Sequence, residues 1–250
     1  MPDVQFFSHL SAAHVLGAPL PLRLGWDRVH VGVRPPHREP RVSGVVGHRL
    51  TGLVADPVTI GGLAVASPAD AWCQLGPTLS VDELVAVGDH LVRERGASGR
   101  RRRERQPPLC SIDDLGAALA AARHLGARSL RAALPLVRVG SESPKETELR
   151  LALMRAGLPE PELNLELRDR WGRFVARLDL AYPAYRAAFE YDGRQHATNA
   201  AQFAKDVDRV HAINRLGWTH ERFLSHHLDA GAAVAIERVR ERLVAAGWRP

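Results

Sequence analysis

From residue 141 onward the spacing of apolar positions switches between two periods. ETELRLALMRAGL (146–158) repeats its apolar residues at helical spacing, begun by Ser143-Pro144 and ended near Gly157 and Pro159. ELNLELRD (162–169) alternates as a strand does, and Arg170 to Gly172 turn the chain. RFVARLDLAY (173–182) predicts a second strand, Pro183-Ala184 a turn, and YRAAFEYD (185–192) a third strand. Residues 200–216 return to helical spacing, WTHERF (218–223) predicts a fourth strand, and 228–246 a last helix. The predicted order is α-β-β-β-α-β-α.

The front of the chain has a different texture. Residues 1–66 read as short strands and turns: HVGVR (30–34) and VSGVVGH (42–48) alternate, with Pro and Gly between them. Residues 67–140 read as helical. Ser67-Pro68 supplies an N-cap and a first-turn proline, and Ser80/Glu83 and Ser111/Asp114 have capping-box spacing. The expectation is an α+β or α/β protein of two domains: a mixed, β-then-α domain over 1–140 and a second domain over 141–250.

Composition adds direction. The chain of 250 residues is 45% hydrophobic, enough for packed cores, and its two cysteines, Cys73 and Cys110, lack metal or disulfide-framework spacing. The N-terminus lacks the basic-then-apolar pattern of a signal peptide, and no apolar run approaches the roughly 20 residues of a membrane span. A cytoplasmic protein without a membrane partner is expected. The net charge is +6, and the stretch Arg93–Arg105 holds seven Arg against two Glu, a local +5. A solvated linker explains such a run as readily as a phosphate contact. Its place upstream of the acidic residues below favours nucleic acid, with Arg100, Arg101, Arg102 and Arg103 as the contacts.

Those acidic residues lie in DLAYPAYRAAFEYDGRQH (179–196). Glu190 and Asp192 are separated by one residue in a strand, so they share a face, and Asp179 is expected to close the neighbouring strand. Three carboxylates in that arrangement suit a hard cation such as Mg²⁺, which works on phosphate esters. Solvent-facing charges on an edge strand are the plain alternative. Against it, AAFEY is otherwise apolar on both faces, as a central strand is. Burying carboxylates there costs several kcal/mol without compensation.

The element order and these acids resemble the PD-(D/E)XK nuclease superfamily, and within it the branch related to very-short-patch repair endonucleases. The residues that carry the resemblance are Asp179, Glu190 and Asp192 within EYDGRQH, then Asp206 and Arg209 on the following helix, and LGW (216–218) leading to Arg222-Phe223. It covers residues 143 to about 227. It implies a restriction-endonuclease-like αβββαβ core in which Asp179, Glu190 and Asp192 bind Mg²⁺, with Mn²⁺ as a substitute. Glu146 matches the first-helix Glu that often completes the metal shell, although Ser143, Pro144 and Glu146 also satisfy a capping box. Asp192 stands where the superfamily usually has Lys. The repair-like branch tolerates this and often has a His just after, which His196 matches as an acid or base. Arg209 with Asp206 is either a surface pair or a support of the site. Gln195 is a further candidate contact to the backbone or a phosphate. His220, His226 and His227 are expected at the surface, and Trp218 in the core.

FFSHLSAAHVLGAPLP (6–21) and SPADAWCQL (67–75) loosely resemble the front of actinobacterial proteins that carry this nuclease-like domain behind an element related to AbiEi-type antitoxins. A complete winged helix is not expected here. The resemblances imply a Mg²⁺-dependent endodeoxyribonuclease in a phage-defence, toxin–antitoxin or DNA-repair setting, with RNA as an open alternative substrate and a homodimer as an open assembly state. The rival expectation is a non-catalytic, antitoxin-type DNA-binding regulator.

Overall fold

The computed structural model describes residues 4–25, 27–94, 106–193 and 200–250, with backbone alone over 200–205. Arg100, Arg101, Arg102, Arg103, Gln195 and His196 therefore lie outside the described residues. The chain is mixed α+β and divides into two compact units, Met1–Val139 and Gly140–Pro250.

The first unit runs β1 (Gln5–Phe7), α1 (His9–Val15), β2 (Val29–Val33), β3 (Val45–Arg49), β4 (Val58–Ile60), β5 (Leu63–Val65), α2 (Pro68–Gln74), α3 (Val81–Val92), α4 (Ile112–Ala121) and α5 (Ala127–Ala133). Its sheet has the order β3-β2-β1-β5-β4. The caps behave as the sequence predicts. Ser67 Oγ accepts from the Asp70 backbone N–H, and Ser80/Glu83 and Ser111/Asp114 close two-way capping boxes. Residues 9–15 depart from the expected strands and turns. Ala12 and Ala13 are buried on a short helix, α1, whose Ser11 hydroxyl accepts the His30 backbone N–H at 2.8 Å. Contacts from β2 fix this turn of helix, and local spacing does not reveal them.

The second unit runs α6 (Pro144–Arg155), β6 (Glu162–Arg168), β7 (Phe174–Tyr182), β8 (Ala187–Tyr191), α7 (Ala200–Arg215), β9 (Thr219–Phe223) and α8 (Asp229–Ala245). The sheet order is β6-β7-β8-β9, antiparallel except for the parallel β8–β9 pair. A parallel pair needs a crossover, and α7 provides it. Two apolar clusters flank the strands. Leu149 and Leu153 of α6 and Val239 and Leu243 of α8 pack with Leu180, Phe189 and Phe223. Ile213 of α7 packs with Leu178, Ala181 and Ala188, and half-buried Trp218 joins this cluster. Each cluster contributes roughly 1.5–3 kcal/mol per fully buried large side chain. The last helix opens irregularly: Ala230, Gly231 and Ala232 are left-handed.

Candidate functional site

The third and fourth strands of the second unit build a charged cluster by register. Glu190 pairs with Arg222 and Ala188 with His220 across the parallel β8–β9 ladder. Alternation then puts Glu190, His220 and Arg222 on one face and Phe189 with Phe223 on the other. Gly217 makes the turn into β9 at φ +77°, a conformation that favours glycine, and the Thr219 N–H donates to Arg186 O at 2.8 Å.

Glu190 sits at the centre and is only 6% exposed. The Arg209 guanidinium grips it with both terminal nitrogens: Nη1 donates to Oε2 at 2.7 Å and Nη2 to Oε1, while Nη2 also donates to the Arg177 carbonyl at 2.7 Å. Such a two-pronged pair is the strong form of charge-assisted hydrogen bond. His220, with its side chain 2% exposed, brings Nε2 to 3.1 Å from Glu190 Oε2. The approach is short but off the line of a good hydrogen bond. Burial would raise the Glu190 carboxyl, yet the His220 and Arg209 contacts outweigh it and hold it down at about 2.

Asp192 lies just past the end of β8, and its N–H donates to Phe223 O at 2.8 Å. Arg222 reaches three acids: Glu190 at 3.8 Å, Asp192 at 3.5 Å and Asp206 at 3.7 Å. Contact with both Glu190 and Asp192 agrees with their shared face. Asp206 and Arg209 thus belong to the cluster rather than to a separate surface pair.

Asp179 lies within β7, which continues three residues beyond it to Tyr182. It is half-buried. Burial first, then the negative charges of Glu146 and Glu190, push its carboxyl up to about 8, against the opposing charge of Arg209. The Glu146 carboxyl is also raised, chiefly by burial. Glu146 has a capping task too: its N–H donates to Ser143 Oγ at 3.2 Å, while its Oε2 accepts the Glu142 N–H at 2.8 Å. The reciprocal half of the expected capping box thus falls one residue early, at Glu142.

The structure brings Asp179, Glu190 and Glu146 into one electrostatic neighbourhood with Arg209, and Asp192 joins Glu190 through Arg222. It does not draw Asp179, Glu190 and Asp192 into one tight set. Among the described residues, the group of three His, Cys, Asp or Glu side chains with ligand atoms within 4.8 Å of one another lies in the first unit. Glu190 is turned onto Arg209 and His220 instead. His220 was expected at the surface and is buried against Glu190, so that expectation is corrected. The i, i+2 spacing of His220 and Arg222 signals a shared face, but only the β8–β9 register says whose face it is. His226 is exposed, as expected, and the half-buried His227 takes the Leu224 N–H on Nδ1 at 2.9 Å.

No protein-family model matches the chain. Two curated proteins are similar to part of it, one from Mycobacterium tuberculosis strain CDC 1551 / Oshkosh and one from strain ATCC 25618 / H37Rv, both described as uncharacterized. Each is 35% identical over 103 residues, covering 40% of this chain. The match spans 38% of the length of these relatives. No solved structure matches. Among the described residues, no helix is long and apolar enough to cross a membrane.

Proposed function

We propose that the second unit is a restriction-endonuclease-like, metal-dependent endonuclease that hydrolyses DNA phosphodiester bonds. The observation that carries this reading is Asp179. Burial first, and then the charges of Glu146 and Glu190, hold its carboxyl at about 8, so the charged form lacks compensation that a bound cation would supply. An all-oxygen donor set with a proton to displace fits a hard divalent ion. Asp179 and Glu190 would hold Mg²⁺ or Mn²⁺, with Asp192 and Glu146 beside them, and the ion would supply charge neutralisation at a phosphate ester.

The chain's own residues do the rest. Arg209 orients Glu190 through its fork, and Arg177, bound to Glu142, adds positive charge beside the acids. Arg222 links Asp192 to Asp206. Arg100 to Arg103 would hold the nucleic-acid backbone, which positions a substrate without reading its sequence.

A second reading is favoured by a specific observation. Both oxygens of Glu190 are taken by Arg209, and Asp192, at the position where the superfamily usually has Lys, is shared with Arg222. An acid cluster neutralised from within suits a DNA-binding regulator that cuts nothing.

One assay separates the two. Plasmid and single-stranded DNA would be incubated with Mg²⁺, Mn²⁺ or EDTA and with wild type, Asp179→Ala or Glu190→Ala. The nuclease reading expects metal-dependent cutting that both variants lose. Salt-sensitive DNA binding in all three proteins, with no cutting under any metal, would refute it in favour of the regulator.

A further inference from the structure

Three histidines far apart in sequence meet in the first unit. His9 opens α1, His30 lies in β2 and His48 in β3. Their ligand nitrogens all lie within 4.8 Å of one another, and all three side chains are half-buried. The meeting follows from topology. β2 and β3 are parallel, with His30 opposite Val46 and His48 opposite Gly32, so the two imidazoles share a face two rows apart. The chain leaving β1 turns over that face. The Ser8 N–H donates to His30 O at 3.0 Å, and the His30 N–H returns to Ser11 Oγ at 2.8 Å. Gln74 Oε1 accepts the His9 N–H at 2.8 Å, and His9 adopts the left-handed φ of +49°. A non-glycine residue in that region costs energy, and surrounding contacts must hold it there.

The rings are close and their nitrogens poorly used. His30 Nδ1 lies 2.9 Å from His48 Nε2, one shared hydrogen bond in which one nitrogen donates and the other accepts, so both rings hold the same tautomer. The His9 and His48 rings stack with centroids 3.7 Å apart. His9 Nδ1 sits 3.2 Å from Ser8 Oγ, which leaves Nε2 as its ligand atom. A metal-bound histidine commonly has its second nitrogen fixed this way by a neighbouring polar group.

We propose that His9, His30 and His48 form a binding site for Zn²⁺, with a fourth position open to water. Imidazole suits zinc, whereas Mg²⁺ takes oxygen ligands, so this site is chemically distinct from the carboxylate cluster of the second unit. Tetrahedral zinc with nitrogens at about 2.0–2.1 Å places them about 3.4 Å apart. His30 and His48 need only open slightly from 2.9 Å. His9 turns out of its stack to close the set. Three neutral donors leave the ion's charge intact, which is the arrangement that acidifies a bound water in zinc enzymes.

The test uses the whole chain, stripped with EDTA. Zinc content and calorimetric titration should show one Zn²⁺ per chain that Mg²⁺ does not displace. His30→Ala and His48→Ala should each weaken that binding by at least about tenfold, and Ser8→Ala, which frees His9 Nδ1, by roughly 10–100-fold. The Asp179→Ala/Glu190→Ala double variant should keep the zinc, which separates this site from the proposed nuclease centre. Melting curves in EDTA check that the variants remain folded. Should the histidine variants unfold, X-ray absorption of wild type decides: a nitrogen and oxygen shell with imidazole scattering supports the site. Sulfur from Cys73 or Cys110 in the shell, absence of one-to-one binding, or zinc retained by folded histidine variants would overturn it.

Discussion

Replacing Asp179 with Asn should stabilise the metal-free second unit at neutral and alkaline pH, by an amount that grows with pH. The Asp179 carboxyl sits at about 8 in the folded chain against an ordinary 3.8. Between those values the folded chain binds a proton that the unfolded chain has released. Stability therefore falls as pH rises through that window and levels off above about 8. Each pKa unit corresponds to about 1.4 kcal/mol. At pH 7 the gap from 3.8 is about 3 units, which sets a ceiling of about 4 kcal/mol. Asp179 is half-buried, so water screens part of this, and about 2 kcal/mol is the working figure. Asparagine keeps the shape and cannot ionise. The assay is amide hydrogen exchange of β7 and β8 in EDTA at pH 5, 7 and 9, which reports the stability of this unit. The variant's advantage should be small at pH 5 and close to its full value at pH 9. Adding Mg²⁺ should flatten the wild-type profile and leave that of the variant unchanged. Parallel profiles for the two proteins would refute the account of Asp179 as a carboxylate destabilised by burial and by the acids beside it.

Glu190 has the opposite sign. Its carboxyl is held at about 2 against 4.5, so its contribution is present above pH 4.5 and lost as pH falls toward 2. Glu190→Gln should cost about 3 kcal/mol at pH 7, because Arg209 is left without its partner, and should shift acid unfolding to higher pH. An unchanged urea midpoint at pH 7 would mean that the fork adds no net stability. Phe189→Ala should cost about 3–5 kcal/mol in thermal or urea unfolding, since the ring is 1% exposed and stacks on Phe223 at a centroid distance of 5.8 Å. A loss below about 1 kcal/mol would show that the cluster collapses around the gap.

The sequence carries the local half of this structure well. Ser80 with Glu83 and Ser111 with Asp114 announce helix starts because each cap is satisfied within four residues. Alternation around Leu165 marks a strand, and the short apolar run AAFEY marks a central one, because apolar clusters cover both faces of β8. The pairing of strands is a different kind of information. Nothing near His220 says that β9 lies beside β8 in this register, so a buried partner of Glu190 reads as one more surface histidine. His9, His30 and His48 are hidden for the same reason. They are 21 and 18 residues apart in sequence and meet only through the parallel β2–β3 pair and the turn into α1. The α1 helix itself has seven residues, too few for periodicity to register.

The β8–β9 ladder also protects its own alignment. Moving β9 along β8 by one residue would turn Phe223 toward Arg209 and drive His220 and Arg222 into the apolar layer of Leu153, Phe189 and Val239. A slipped pairing would thus strand two basic side chains in hydrocarbon and leave Glu190 facing rings. A two-residue slip would keep the faces but take Arg222 from its place opposite Glu190. The same charges that assemble the site therefore also penalise misaligned pairings of these two strands.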